Sequence, residues 1–168
     1  TIAMKRNDLQ LDLGGIAKGF AADLIFDYLV KRGFSQTLVA AAGDLRMGDA
    51  PPEQAGWNTG LRTFRPTPTE SPPLKNCAVS TSGDLFQRVT TGGKTYSHLI
   101  DLRTGLGLTT RRAASVVMPE AKMTDPLATA ACLADNPKAL FEKFPEASIR
   151  IIYEDRKIPP ITTGIFTE

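Results

Sequence analysis

Four short stretches of the chain carry residue types that do chemistry. The first, Asp12-Leu13-Gly14-Gly15-Ile16-Ala17-Lys18-Gly19, joins a strand-like pattern to a helix-like one. Unpaired N–H groups at a helix start carry partial positive charge and take phosphates. Gly15 lets a ligand approach the backbone closely, and Lys18 adds a cation. The spacing is neither that of a P-loop nor G-x-G-x-x-G, and a glycine turn that merely opens a helix reads equally well. The second stretch, Ser80-Thr81-Ser82-Gly83-Asp84, sets three hydroxyls before a Gly-Asp pair. Hydroxyls and turn amides suit an anionic group; an ordinary strand-ending turn also explains them. The third, His98-Leu99-Ile100-Asp101-Leu102-Arg103-Thr104-Gly105, holds the single histidine. His98 can move a proton or contact a phosphate, yet on one strand it would face away from Asp101. The fourth, Asp125-Pro126-Leu127-Ala128-Thr129, spaces a carboxylate and a hydroxyl four apart, on one face of a helix. That is part of a hard-cation site, or a helix cap in front of a proline.

The elements that must position these groups are legible in outline. Alternation over Asp8–Leu13 predicts a half-buried strand. Ile16, Phe20, Leu24 and Tyr28 recur at helical spacing, and Gly33 is placed to end that helix. Strands are expected at Thr37–Val39, Gly60–Phe64, Cys77–Ser80, Ser97–Asp101, Ala114–Met118, Ile149–Tyr153 and Ile161–Phe166. A helix is expected from Asp125-Pro126 to Leu133, and another from Asn136-Pro137 through Phe144. The proline-rich stretch between Pro51 and Pro73 contains the only tryptophan, Trp57, so it reads as loops around a strand and not as a linker. Strands outnumber helices without alternating with them, which predicts an α+β fold with a mixed or antiparallel sheet and a few helices.

Composition bounds the function. With 168 residues the chain amounts to one domain over 1–168. Its 42% hydrophobic and 23% charged residues suit a packed core. A net charge of +2, from 20 basic and 18 acidic residues, gives no grip on nucleic acid. No apolar run reaches the roughly 20 residues of a transmembrane segment, and nothing at the N-terminus reads as a signal peptide. The missing initiator methionine suggests a chain processed or cut from a longer protein. Cys77 and Cys132 have no neighbours at zinc spacing, and whether they pair is left open.

Taken in order, the stretches resemble the ApbE family of flavin transferases. The resemblance rests on Asp12-Leu13-Gly14-Gly15-Ile16-Ala17-Lys18-Gly19-Phe20-Ala21-Ala22-Asp23, Gly43-Asp44-Leu45-Arg46 and Gly56-Trp57-Asn58-Thr59-Gly60-Leu61-Arg62. It continues through Ser80–Asp84, His98–Asp101 with Thr104-Gly105, and Asp125–Ala130. It covers the C-terminal half or so of the family's length. Such a resemblance implies a fold related to the tunnelling fold, FAD and Mg²⁺ as cofactors, cleavage of FAD, and attachment of FMN to a Thr or Ser hydroxyl of a target protein with release of AMP. It implies Asp125, Thr129 and the Ala17 carbonyl as metal ligands, and Gly15, Ala17, Lys18, Thr81, Ser82, Gly83, Asp84 and His98 as neighbours of FAD. His98 and Asp125 are then the catalytic candidates, and a bacterial envelope or periplasmic location is expected. Where the family usually has Asn-Ala-Gly-Gly-Asp, this chain has Ala40-Ala41-Ala42-Gly43-Asp44; Leu85, Leu102 and Pro126 replace the usual Tyr, Pro and Ala. An FAD-binding or flavin-storing module without transfer is the alternative. A serine hydrolase using Ser82, His98 and Asp101 or Asp84 lacks the G-x-S-x-G elbow.

Overall fold

The computed structural model describes residues 3, 5–6, 8–61, 64, 69–85 and 87–167. In chain order the elements are α1 (Ala17–Val30), β1 (Leu38–Ala41), β2 (Asp44–Met47), β3 (Gly60–Leu61), β4 (Thr69–Glu70) and β5 (Cys77–Gly83). They continue with β6 (Arg88–Thr91), β7 (Lys94–Ser97), β8 (Ile100–Asp101), β9 (Leu106–Gly107) and β10 (Arg112–Met118). Last come α2 (Ala121–Leu133), α3 (Lys138–Lys143), β11 (Ser148–Tyr153) and β12 (Ile161–Thr162), with a short 3₁₀ turn at Gly164–Phe166. Six strands form one sheet in the order β1-β2-β5-β10-β11-β12, and every pairing in it is antiparallel. The α+β expectation holds.

Both long helices lie against this sheet. Ala114, Val116 and Met118 of β10 pack with Leu127, Ala128 and Ala131 of α2, while Ala22 and Phe26 of α1 pack with Val39 and Ala78. A third apolar cluster joins Met47, Leu61, Leu74, Val79 and Val117. Val79 and Val117 alternate along their strands with Ala78 and Met118, so this cluster covers the opposite face. Leu61 and Trp57, from the stretch between Pro51 and Pro73, belong to that layer. Trp57 bridges to Leu74 and donates its indole N–H to the Asp49 carbonyl at 3.0 Å, so this part of the stretch is folded against the sheet and is not a linker. Arg62 and Thr63 of the strand expected there lie outside the described residues.

Four expectations need correction. The strand expected over Ile161–Phe166 ends at Thr162, and Gly164–Phe166 is a 3₁₀ turn. No strand forms over Asp8–Leu13, where Leu9, Leu11 and Leu13 are exposed. Alternation alone does not make a strand without a neighbour to pair with. The strand expected over Ser97–Asp101 is broken: β7 ends at Ser97, β8 begins at Ile100, and they pair with different hairpin partners. The helix expected to begin at Asp125-Pro126 starts at Ala121, which places Pro126 inside it. The reason is a cap from another element. Asp23 on α1 accepts the first N–H groups of α2, from Ala121 and Lys122, both at 2.9 Å. Asp125 is therefore not an N-cap. Cys77 and Cys132 are both free thiols, and burial pushes Cys132 up to about 12.

Candidate functional site

The site starts from a close crossing of α1 over α2. A Cβ on Gly19 would stand 2.1 Å from the Ala121 carbonyl oxygen, so only glycine permits this approach. Asp23 secures the crossing by its two bonds to the α2 backbone, and Arg46 of β2 closes on Asp23 at 3.2 Å while stacking over Phe26. With the helices held this way, Lys18 on the first turn of α1 reaches the second turn of α2.

There Lys18 Nζ meets Asp125 Oδ2 at 2.9 Å and Asp44 Oδ2 at 3.4 Å. It also reaches the Gly14 carbonyl at 3.4 Å. Each of the two aspartates is only 4% exposed. A buried carboxylate needs a partner, and one ammonium serves both. Asp44 Oδ2 has this ion pair and no hydrogen bond. Burial and then the Asp125 charge hold the Asp44 carboxyl above its ordinary value, against the Ser80 hydroxyl and Lys18. Burial opposes the Lys18 charge, but the two carboxylates outweigh it and hold the ammonium above the usual lysine range.

The alternation of β5 divides its hydroxyls. Ser80 and Ser82 face the helices and bond to Thr124 and Thr129 of α2 at 2.7 and 2.9 Å. Thr81 points the other way and bonds to Ser115 of β10 at 2.8 Å. Beside Thr81 lies a cavity of about 540 Å³, with Thr81, Ser82 and Gly83 on one side and Leu45, Leu61, Val79 and Leu85 among its apolar walls. That size suits an organic ligand. Phe20 and Trp57 do not line it, and Phe86 lies outside the described residues.

The structure thus gathers Lys18, Asp125, Ser82 and Thr129 around the meeting of α1, α2 and β5, with Thr81 and Gly83 beside it. Gly15 and Ala17 stand exposed at the turn into α1, where Asp12 accepts the Gly14 N–H at 2.7 Å. It does not bring the Asp84 carboxylate to the cavity. Asp84 is buried and paired with Arg111 at 3.0 Å. His98 is exposed at the break between β7 and β8, and its ring Nδ1 lies 3.1 Å from the Gln87 carbonyl. A carbonyl only accepts, so Nδ1 carries the hydrogen of this bond. Asp44 is the site residue that sequence reasoning missed. Its place in Gly43-Asp44-Leu45-Arg46 was visible, but nothing local shows that it turns toward α2.

The donor set is one of hard oxygens, two carboxylates with the Thr129 and Ser82 hydroxyls nearby, and a cation already sits between the carboxylates in the form of Lys18. That combination fits Mg²⁺. Among the described residues no three His, Cys, Asp or Glu side chains gather, so a metal here would draw further ligands from backbone or substrate oxygens.

Comparison with known proteins gives this arrangement its context. The sequence model of the ApbE family matches residues 1–148. A Treponema pallidum protein named FAD:protein FMN transferase is 32% identical over 172 residues, covering 94% of this chain and 48% of its own length. A Vibrio cholerae protein of the same name is 29% identical over 135 residues, covering 77% of this chain and 40% of itself. Among solved structures, the ApbE protein of Thermotoga maritima superposes with a TM-score of 0.81 at 27% identity, covering 95% of this chain and 53% of that one. The flavinyl transferase ApbE of Pseudomonas stutzeri gives 0.78 at 26% identity, covering 94% and 50%. The chain spans about half the length of the relatives it matches.

Proposed function

Since the chain belongs to the ApbE family, we propose that it carries the phosphate and metal end of a flavin transferase site. FAD is the substrate, FMN passes to a Thr or Ser hydroxyl of a target protein, and AMP leaves. The observation that carries this reading is the Lys18 ammonium shared between two buried carboxylates beside the hydroxyls of Ser82 and Thr129.

Asp125, Asp44 and Thr129, with the Ala17 carbonyl, would hold Mg²⁺. When bound, the ion neutralises charge on the diphosphate. The Lys18 ammonium, which pairs with both carboxylates, would then be available to a phosphate oxygen. Thr81, Ser82 and Gly83 offer hydroxyls and backbone on the edge of the cavity, where apolar walls exclude water from the ring system. His98 is exposed with its Nδ1–H held by the Gln87 carbonyl, and Nε2 would serve as the base. The acceptor hydroxyl forms a bond to the FMN phosphorus and gives its proton to Nε2. The bond from that phosphorus to the bridging oxygen breaks, and AMP departs with the oxygen and its electron pair. Such a transfer is mainly positioning and charge stabilisation. Asp84, paired with Arg111, braces the end of β5.

The test is incubation with FAD, Mg²⁺ and an acceptor protein bearing a Thr or Ser. Release of AMP with a flavin-labelled acceptor supports the transferase. One observation favours the second reading, a flavin-binding module: the cavity is walled by a chain that spans only half of its relatives. Stable, uncleaved FAD in the same experiment would select the module.

A further inference from the structure

Arg103 divides its guanidinium between two carboxylates. Nε and Nη2 donate to Asp101 at 3.0 and 2.9 Å, while Nη1 and Nη2 donate to Asp135, the second at 3.1 Å. The two acids belong to different parts of the fold. Asp101 ends β8, whereas Asp135 stands two residues past the end of α2, the helix that carries Asp125 and Thr129. Arg103 therefore clamps the tip of the β8–β9 hairpin to α2. The same hairpin holds His98. The Ser97 N–H donates to the Leu108 carbonyl at 2.8 Å and the Leu108 N–H to the Leu99 carbonyl at 2.9 Å, so both neighbours of His98 hang on the residue that follows β9. Leu99 packs on the apolar cluster shared by α2 and the sheet, which fixes the foot of the hairpin. Beyond that foot lies a cavity of about 520 Å³, with Tyr96, Leu106, Leu133 and Tyr153 among its walls. Packing sets a spacing only where side chains interlock, so across this cavity the spacing of hairpin and helix falls to the clamp.

We infer that Arg103 and Asp135 are positioning residues for the transfer, their ion pair setting His98 at its working distance from the Asp125 cluster on α2. The inference rests on the reading of His98 as the base. The side chains of Arg103 and Asp135 are 63% and 71% exposed, and a pair so exposed contributes little to overall stability. Its loss shifts the hairpin without unfolding the sheet. A small misplacement of a base is enough to slow the step it serves.

The experiment compares Asp135→Asn, which cuts the clamp and leaves the Asp101–Arg103 turn in place, with Asp135→Glu, which keeps a carboxylate for Arg103. Amide hydrogen exchange reads the clamp without reference to activity. In Asp135→Asn the amides of Ser97, His98 and Leu108 should exchange about tenfold faster or more, while those of β10 and β11 keep their rates. In the transfer assay with FAD, Mg²⁺ and an acceptor protein, the same variant should lower kcat about fivefold or more, with the KM for FAD within about twofold. Asp135→Glu should restore both the exchange rates and kcat. Unchanged exchange at the three amides, or a rise shared by β10 and β11, would overturn the inference. So would an Asp135→Asn protein of unchanged kcat, or one whose KM rises in step with the fall in kcat. If the unsubstituted protein transfers no flavin, the transferase reading falls by itself, and the exchange comparison still decides whether the clamp holds His98.

Discussion

Lys18 stands between two like charges, and its removal should expose their repulsion. Lys18→Met leaves Asp44 and Asp125 facing each other in a buried setting. Because Lys18 is partly exposed, the expected loss is about 1–2 kcal/mol, below that of a fully buried pair. Urea unfolding should show this loss in EDTA, and millimolar Mg²⁺ should recover it. The pH dependence follows from Asp44. Its carboxyl is held above the ordinary value of 3.8, chiefly by burial. The folded state therefore binds this proton more tightly than the unfolded chain, and the associated stability is full below 3.8 and is lost as pH rises through the folded value. Asp44→Asn removes that loss. Its stability relative to the unsubstituted protein should improve as pH rises from 3.8 through the folded value and level off above it, and a constant difference from pH 3 upward would contradict the assignment. At His98 the prediction is kinetic: His98→Asn should slow transfer far more than it weakens FAD binding, since a base acts in the transition state.

At the scale of elements, the β1–β2 hairpin and the α1–α2 crossing carry the argument. Ala42 and Gly43 form the two-residue turn of that hairpin, and Ala42 has φ +49°. A left-handed residue with a Cβ costs roughly 1 kcal/mol or more. Ala42→Gly should recover about 0.5 kcal/mol after the entropy of glycine in the unfolded chain is counted, read as a rise in the urea midpoint. Gly19→Ala should do the reverse. Its methyl would meet the Ala121 carbonyl, force α1 away from α2, and cost about 2 kcal/mol while pulling Lys18 from Asp125. The same elements show what a sequence reader can and cannot see. Helix α1 and its end near Gly33 were legible from spacing and from a glycine with φ +90°, and the strands from alternation between turns. The start of α2 was not, because its cap, Asp23, lies 98 residues earlier in the chain. Pairing of Asp125 with Thr129 was readable at helical spacing, whereas Asp44 joins the site only through the sheet. The break at His98 was hidden because no Gly or Pro interrupts Ser97–Asp101, and only the pairing of two separate hairpins divides it.

For the whole molecule, the antiparallel sheet serves as a wall with different chemistry on its two faces. The helix side carries the charged cluster, and the opposite side carries the apolar cavity, with Ser82 and Thr81 on consecutive residues of β5 turned to either side. In the proposed reading, a diphosphate and a ring system on one ligand would lie within reach of the same strand end. Among the described residues no helix is long and apolar enough to cross a membrane. The central claim is that the Asp125 cluster is a Mg²⁺ site for a diphosphate, and calorimetric titration of ADP with Mg²⁺ into the chain tests it most directly. ADP carries the phosphates without the flavin ring, so it addresses the charged end of the site by itself. The account predicts saturable binding that disappears in EDTA and weakens at least tenfold in Asp125→Ala, with the circular dichroism of that variant unchanged. Binding of equal affinity in Asp125→Ala, or binding indifferent to Mg²⁺, would contradict it.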